Sequence, residues 1–246
     1  MIPITRLPRS FAVLIVVSAL ALMSVHVRAA APAGTVAYTA GVVSIEPASG
    51  AKRFAVAGSS VESGDTIETS KEGEAVLLMA DHQRVYLKAD TRYRIDDYRF
   101  AENDAKSNAS VSSLLKGGLR VISGLIGKQG VPDAYRLKTQ TATIGIRGTE
   151  WSVLECGLVS RLPSGEGAGP MSVPASEPQA LALECPRGEA GEHIRVYHGT
   201  IDVRTEVDHH ELSEGFGTII RSPRSTFGLM PGANVEPVVP SPAACK

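Results

Sequence analysis

The sequence predicts an all-β fold, and three observations carry that prediction. Apolar residues recur at every second position over short runs from Gly34 onward, turn signals punctuate those runs about every eight to twelve residues, and 24 glycines and 15 prolines sit in a chain of 246 residues. A 43% hydrophobic composition is enough to build one packed interior, so a single domain is expected. Lys and Arg total 25 against 26 for Asp and Glu, a net charge of −1. That balance supplies no basic field for nucleic acid and no acidic field for basic partners.

Taken in order, the chain opens with a secretory signal. Arg6 and Arg9 precede the apolar stretch FAVLIVVSALALM, Phe11 to Met23, and the small-residue patch HVRAAAPAG follows. Val27 and Ala29 satisfy the small-x-small rule, so residues 1–29 are expected to be removed and Ala30 to begin the mature protein. An apolar run of about 13 residues falls short of the roughly 20 that cross a bilayer as a helix, so no span is expected after cleavage. No cysteine stands directly after the run, which argues against a lipoprotein. A periplasmic or secreted location follows, and with it an oxidising environment.

Strands are then expected in VAYTAGVVSIE and after the turn marked by Gly64 and Asp65, where Thr66 to Thr69 resume an extended run. GEAVLLMADHQRVYLKADTRYRID predicts a hairpin turning at ADHQ, with Val85, Leu87 and Ala89 on one face and Tyr86 and Lys88 on the other. AENDAKSNAS is a loop. SVSSLLKGGLRVISGLIGKQG is assigned strand, turn, strand, because Gly117 and Gly118 would each weaken a helix by about 1 kcal/mol. AYRLKTQTATIGIRGTEWSVLEC supplies two more extended segments; HIRVYHGTIDVRT and HHELSEGFGTIIRS complete the pattern. The β domain is thus expected over 34–222, with a Gly-, Pro-, Ser- and Glu-rich insertion at 157–184. Residues 231–246 hold too many prolines for regular pairing and form an extended strap or a disordered tail.

In an oxidising compartment, a bridge from Cys156 to Cys185 would close the insertion at its base and contribute roughly 3–4 kcal/mol in the chain-entropy model. Cys245 is left as a free thiol, an intermolecular link, or an alternative partner for either.

The segment TQTATIGIRGTEWSVLE departs from plain alternation. Thr141, Thr143, Gly145 and Arg147 share one face, and Ala142, Ile144 and Ile146 the other. Gly148 tolerates positive φ and can act as a bulge that restarts the strand in a new register, with Trp151 and Val153 then on one face. Arg147 is expected at the resulting corner, its guanidinium bonding backbone carbonyls or a carboxylate. Gly148, Thr149 and Trp151 are therefore assigned structural roles, as are Gly64 and Asp65.

TATIGIRGTEWSV resembles the signature of the FecR domain, an extended run ending in Val/Ile-Arg-Gly-Thr and an aromatic residue. Upstream, VESGDTIETSKEGEAVLLMADHQRVYLKADTRY is similar to that family's Gly-Asp-x-Ile-x-Thr turn and hairpin; downstream, IRVYHGTIDVRT and LSEGFGTIIR resemble its later strands. The likeness runs from about Thr35 to Arg221. DHQR stands where the family usually has Asp-Gly, and the insertion is an elaboration. The resemblance implies a twisted, solenoid-like stack of sheets that contacts partner proteins. The best-known members also carry a cytoplasmic anti-sigma segment and relay the state of an outer-membrane iron transporter. With about ten residues before the apolar run, this chain is not expected to hold such a segment.

Catalytic patterns are absent from the sequence: no His-Glu-x-x-His, Gly-x-Ser-x-Gly or phosphate loop occurs. His82, His193, His198, His209 and His210 have no nucleophile beside them. VDHHEL, 207–212, offers Asp208, His209, His210 and Glu211, but neighbours on an extended chain face opposite ways, so a solvated turn is expected rather than a metal site. No enzyme activity, metal or cofactor is expected. The expected function is binding of another envelope protein through exposed sheet edges and the insertion, with a regulatory role implied by the resemblance alone. The alternatives are a structural scaffold or surface adhesion component, and a binder of a small ligand such as a glycan or ferric complex. The sequence sets no oligomeric state.

Overall fold

The computed structural model describes residues 32–131, 133–157 and 190–232. Residues 1–29, nearly all of the insertion with Cys185, and the tail beyond Gly232 with Cys245 lie outside the described residues.

Sixteen strands and one helical turn make up the described chain. They are β1 (Gly34–Ala40), β2 (Val43–Glu46), β3 (Arg53–Phe54), β4 (Ser60–Val61), β5 (Thr66–Thr69), β6 (Glu74–Met79), β7 (Arg84–Leu87), β8 (Arg92–Arg99), β9 (Ala109–Lys116), β10 (Gly118–Ile122), α1 (Leu125–Lys128), β11 (Tyr135–Lys138), β12 (Thr143–Cys156), β13 (Gly191–Arg204), β14 (His209–Ser213), β15 (Phe216–Ile220) and β16 (Met230–Pro231). The all-β class is as expected from the sequence, and hydrogen bonding links the strands into one sheet that curls as a half-barrel.

The sheet runs β3-β2-β5-β8-β9-β11-β12-β10-β7-β6-β1-β4, with β13 to β16 branching from β12. Its end strands β3 and β4 are consecutive in the chain, and the Arg53 guanidinium donates to the Ser60 carbonyl at 2.9 Å. Pairing is antiparallel except between β9 and β11. Alternation explains the core. Ile45, Ile67, Leu77, Val85, Leu137 and Ile144 point inward from six strands and are fully buried, while outward neighbours such as Arg136 and Lys138 are exposed.

The expected hairpin is β6 paired with β7, and its turn is organised by Asp81. The buried Asp81 carboxylate accepts from Gln83 N (3.2 Å), Tyr98 Oη (3.0 Å) and Ile126 N (3.1 Å), while its carbonyl accepts from Leu125 N (2.8 Å). His82 takes the left-handed conformation, φ 67°, that a glycine would occupy more easily.

Strand, turn, strand also describes 109–122, with the turn at Gly117, φ 88°. The two strands do not pair with each other. β9 lies between β8 and β11, and β10 between β7 and β12, so Gly117 carries the chain from one part of the sheet to another. A Cβ there would come within 2.5 Å of Thr91 Oγ1, which requires glycine.

Candidate functional site

The opening motif lies on β12, which forms a spine with β13. Each of these strands has 14 residues, and each half takes a different outer neighbour. The first half of β12 pairs with β11 and the second with β10; the corresponding halves of β13 pair with β14 and β15. The break between halves is a double irregularity. The register shifts between Arg147 and Trp151, where Gly148 has φ 67°, and Gly199 opposite has φ 80°. A Cβ on Gly199 would lie 2.6 Å from the Gly148 carbonyl oxygen, so the two backbones approach too closely for any side chain on that residue.

Thr149 fastens the bend. Its backbone N–H donates to Ser123 Oγ at 2.9 Å, and its carbonyl accepts from Ser123 Oγ (2.6 Å) and Ser123 N (3.0 Å). Trp151 and Val153 both lie fully buried in the core beyond the bend. Among the described residues the buried Trp151 indole Nε1 has no hydrogen-bond partner, so the ring contributes through packing.

Arg147 requires a correction. Its side chain is exposed, and among the described residues it makes no hydrogen bond or ion pair, so it does not hold the corner. The bulge leaves Arg147 on the outward face with Thr143 and Gly145. The guanidinium at the bend belongs to Arg120 of β10, which donates to Glu150 Oε1 from Nε (2.9 Å) and Nη2 (2.5 Å) and stacks 4.1 Å over the Tyr197 ring.

On the outward face before the bend lies a groove of about 600 Å³. Gly145 is its floor, with Arg136 and Asp202 as direct cross-strand neighbours. Two of its carboxylates are already engaged. Asp202 accepts from Arg204 Nε at 2.7 Å and lies 2.7 Å from His209 Nε2, and Glu206 accepts from Arg224 Nε at 2.9 Å. Partial burial would raise the Asp202 carboxyl, but the bonds from Arg204 and His209 outweigh it and hold the group below its ordinary value. Among the described residues Arg136 and Arg147 have no such partner.

Beyond the bend the outward face is closed. Ser152, Leu154 and His193 are buried there although they point away from the core, while Glu192 lies on the core side with Ile194 and Val196. Glu155 and Glu192 are directly paired across β12 and β13. Thr141 Oγ1 donates to Glu192 Oε2 at 2.5 Å and Gln140 Nε2 to Glu155 Oε2 at 3.3 Å, leaving Oε1 of each carboxyl buried and without a partner among the described residues. Burial, reinforced by the charge of Glu192, pushes Glu155 up to about 8. Burial also pushes Glu192 up to about 7 against the opposing hydrogen bonds of Thr139 and Thr141. Cys156, the next residue, is buried.

Gly64 and Asp65 close the turn before β5. Gly64 has φ 93° and Asp65 Oδ2 accepts from Glu62 N at 3.0 Å, while Gly64 N and Asp65 O bond β8 through Ile95 (2.6 and 2.9 Å). In VDHHEL, Asp208 terminates a turn with Thr205, and the two histidines diverge. His209 meets Asp202, whereas His210 lies 3.2 Å from Asp208 and packs edge-on against Phe227.

At the sheet margin, β3 pairs among the described residues on one side only, with β2. Antiparallel alternation places Val42, Phe54 and Val56 on one outer face, 56%, 78% and 63% exposed. Sequence reasoning missed Arg136, Gly145 as a floor, the Glu155–Glu192 pair and this patch. Alternation alone could have flagged Arg136 as outward. The glutamate pair carries no local signal because it depends on register across the insertion.

Residues 65–161, from the turn aspartate through β12, match a family model described as FecR protein. Two crystal structures of a candidate anti-sigma factor from Parabacteroides distasonis, at 1.65 and 2.50 Å resolution, align with a TM-score of 0.43 and 11% identity. The alignment covers 68% of this chain and 59% of that one, so this chain spans less than two thirds of its neighbour's length. No curated protein matches the chain.

Proposed function

Because residues 65–161 match the FecR protein family model, we propose that this chain is an exported, non-enzymatic module that binds a protein of the cell envelope in a signalling or regulatory role. Removal of residues 1–29 releases it to the periplasm or beyond, and a Cys156–Cys185 disulfide closes the insertion at its base in that oxidising setting.

The single observation that carries protein binding is the β2–β3 margin. A sheet edge with one free side offers backbone groups to an added strand, and Val42, Phe54 and Val56 supply an exposed apolar centre beside it. Lys52 and Arg53 form a charged rim, Lys52 paired with Glu68 and Arg53 reaching toward Asp65 at 3.9 Å. An apolar centre within a polar rim is the anatomy of a protein interface. The occupant proposed is an extended segment of an envelope protein.

The mature chain, immobilised and exposed to an envelope extract, is expected to retain a specific protein that Phe54→Asp no longer retains at unchanged melting temperature. Equal retention by both forms would remove the β2–β3 margin from the binding surface. Retention of nothing above background would favour a scaffold or adhesion role.

A further inference from the structure

Gly145 is not required by the fold. Its φ lies outside the left-handed region, and a Cβ there would meet only ordinary contacts, Asp202 Cβ at 3.7 Å and Tyr135 O at 3.9 Å. A glycine within a strand weakens it, and one without a steric reason marks a place where something else approaches the backbone. The groove above it supplies a second observation, and the electrostatics a third. Asp202 and Glu206 are occupied by Arg204, His209 and Arg224, while Arg136, directly across from Gly145, and Arg147, two residues along β12, are exposed and unpaired among the described residues. Among the described residues Asp133 is the remaining carboxylate at the groove, and it acts on the Arg204 side.

We infer that the groove over Gly145 binds an acidic peptide segment of a protein partner, with Arg136 and Arg147 taking its carboxylates. The inference rests on the protein-binding role proposed above and names a second contact for it. Guanidinium groups present paired donors to carboxylates, and two of them beside a bare backbone floor let an acidic side chain lie flat. Thr143 adds a hydroxyl two residues before Gly145. The chemistry favours peptide over acidic sugar: among the described residues the one aromatic residue lining the groove, Tyr135, is buried and presents no ring for stacking. A volume of about 600 Å³ also suits a few side chains rather than a long polymer.

The test is calorimetric titration of the mature chain with an acetylated, amidated Asp-Glu-Asp tripeptide, its Asn-Gln-Asn analogue, and digalacturonate. The acidic peptide is expected to bind, more weakly at high salt, with the amide analogue at least about tenfold weaker. Gly145→Val fills the floor with a strand-favouring side chain and should abolish binding; Arg136→Gln with Arg147→Gln should do the same without touching the backbone. Melting temperature monitors the fold in both variants. Absence of peptide binding, equal binding of the analogue, preference for digalacturonate, or full affinity in the double arginine variant would each overturn the inference. Failure here leaves envelope-protein retention through Phe54 standing, and loss of that retention with peptide binding intact would count against the β2–β3 margin alone.

Discussion

The two halves of the β12–β13 spine share strands, pairing and chain direction, yet their outer faces are opposites. Before the bend, Thr143, Gly145 and Arg147 face a solvent-open groove; after it, Ser152 and Leu154 are sealed on that face, and a glutamate pair sits on the core side of the strands. Burial of both faces drives the second half toward packing and proton uptake, while exposure of one face leaves the first half free to carry a surface. A double glycine irregularity therefore separates a structural segment from an available one within a single pair of strands.

The strongest way to break the second half is to empty its core. Trp151→Ala should cost about 3–5 kcal/mol, read by denaturant unfolding, whereas Trp151→Phe should cost far less because the indole N–H has no bond to lose. A large penalty for Phe would mean that the indole nitrogen is engaged. Next come the bend glycines. Gly199→Ala combines positive φ with contact against the Gly148 carbonyl and should cost about 2 kcal/mol or more; Gly148→Ala, whose Cβ meets only Lys128 Cγ at 3.5 Å, should cost nearer to about 1 kcal/mol. Equal costs would show that the bend does not depend on that close approach.

The glutamate pair sharpens the contrast through pH. Folded-state values of about 8 and about 7 lie above the ordinary 4.5, so the native state holds protons that the unfolded chain releases. Their contribution is fully present below about pH 4.5 and is lost as pH rises through about 7 and about 8. Glu192→Gln, which can still accept from Thr141, should flatten that decline; an unchanged pH slope of stability would show that Glu192 does not carry it. The smallest effect separates two arginines. Arg120→Ala should cost about 1–2 kcal/mol through its charged hydrogen bonds, and Arg147→Ala less than about 0.5 kcal/mol. A reversed order would return Arg147 to the corner.

The all-β class was legible because alternation survives in each short strand, as in Tyr135 to Lys138, and glycines such as Gly64 and Gly117 stand at the turns. The helical turn Leu125–Lys128 was not, since four residues leave no period to detect and its start is held by the distant Asp81. The role of Arg147 was misread for a related reason: β12 alone cannot reveal that β10 places Arg120 against Glu150. The outward location of Gly145 could be read locally, but the groove depends on Asp202 and Arg204, which arrive only after β12 and β13 pair across the insertion.

That pairing has a practical corollary. The chain leaves the spine at Cys156 and re-enters at Gly191, directly opposite, while the alignment of the strands is locked at the other end of the sealed half by Gly148 and Gly199. Strand alignment here does not rely on a tight hairpin turn, so the Cys156–Gly191 junction is a natural socket, a position where foreign sequence can be spliced in or native sequence trimmed with the domain keeping its shape.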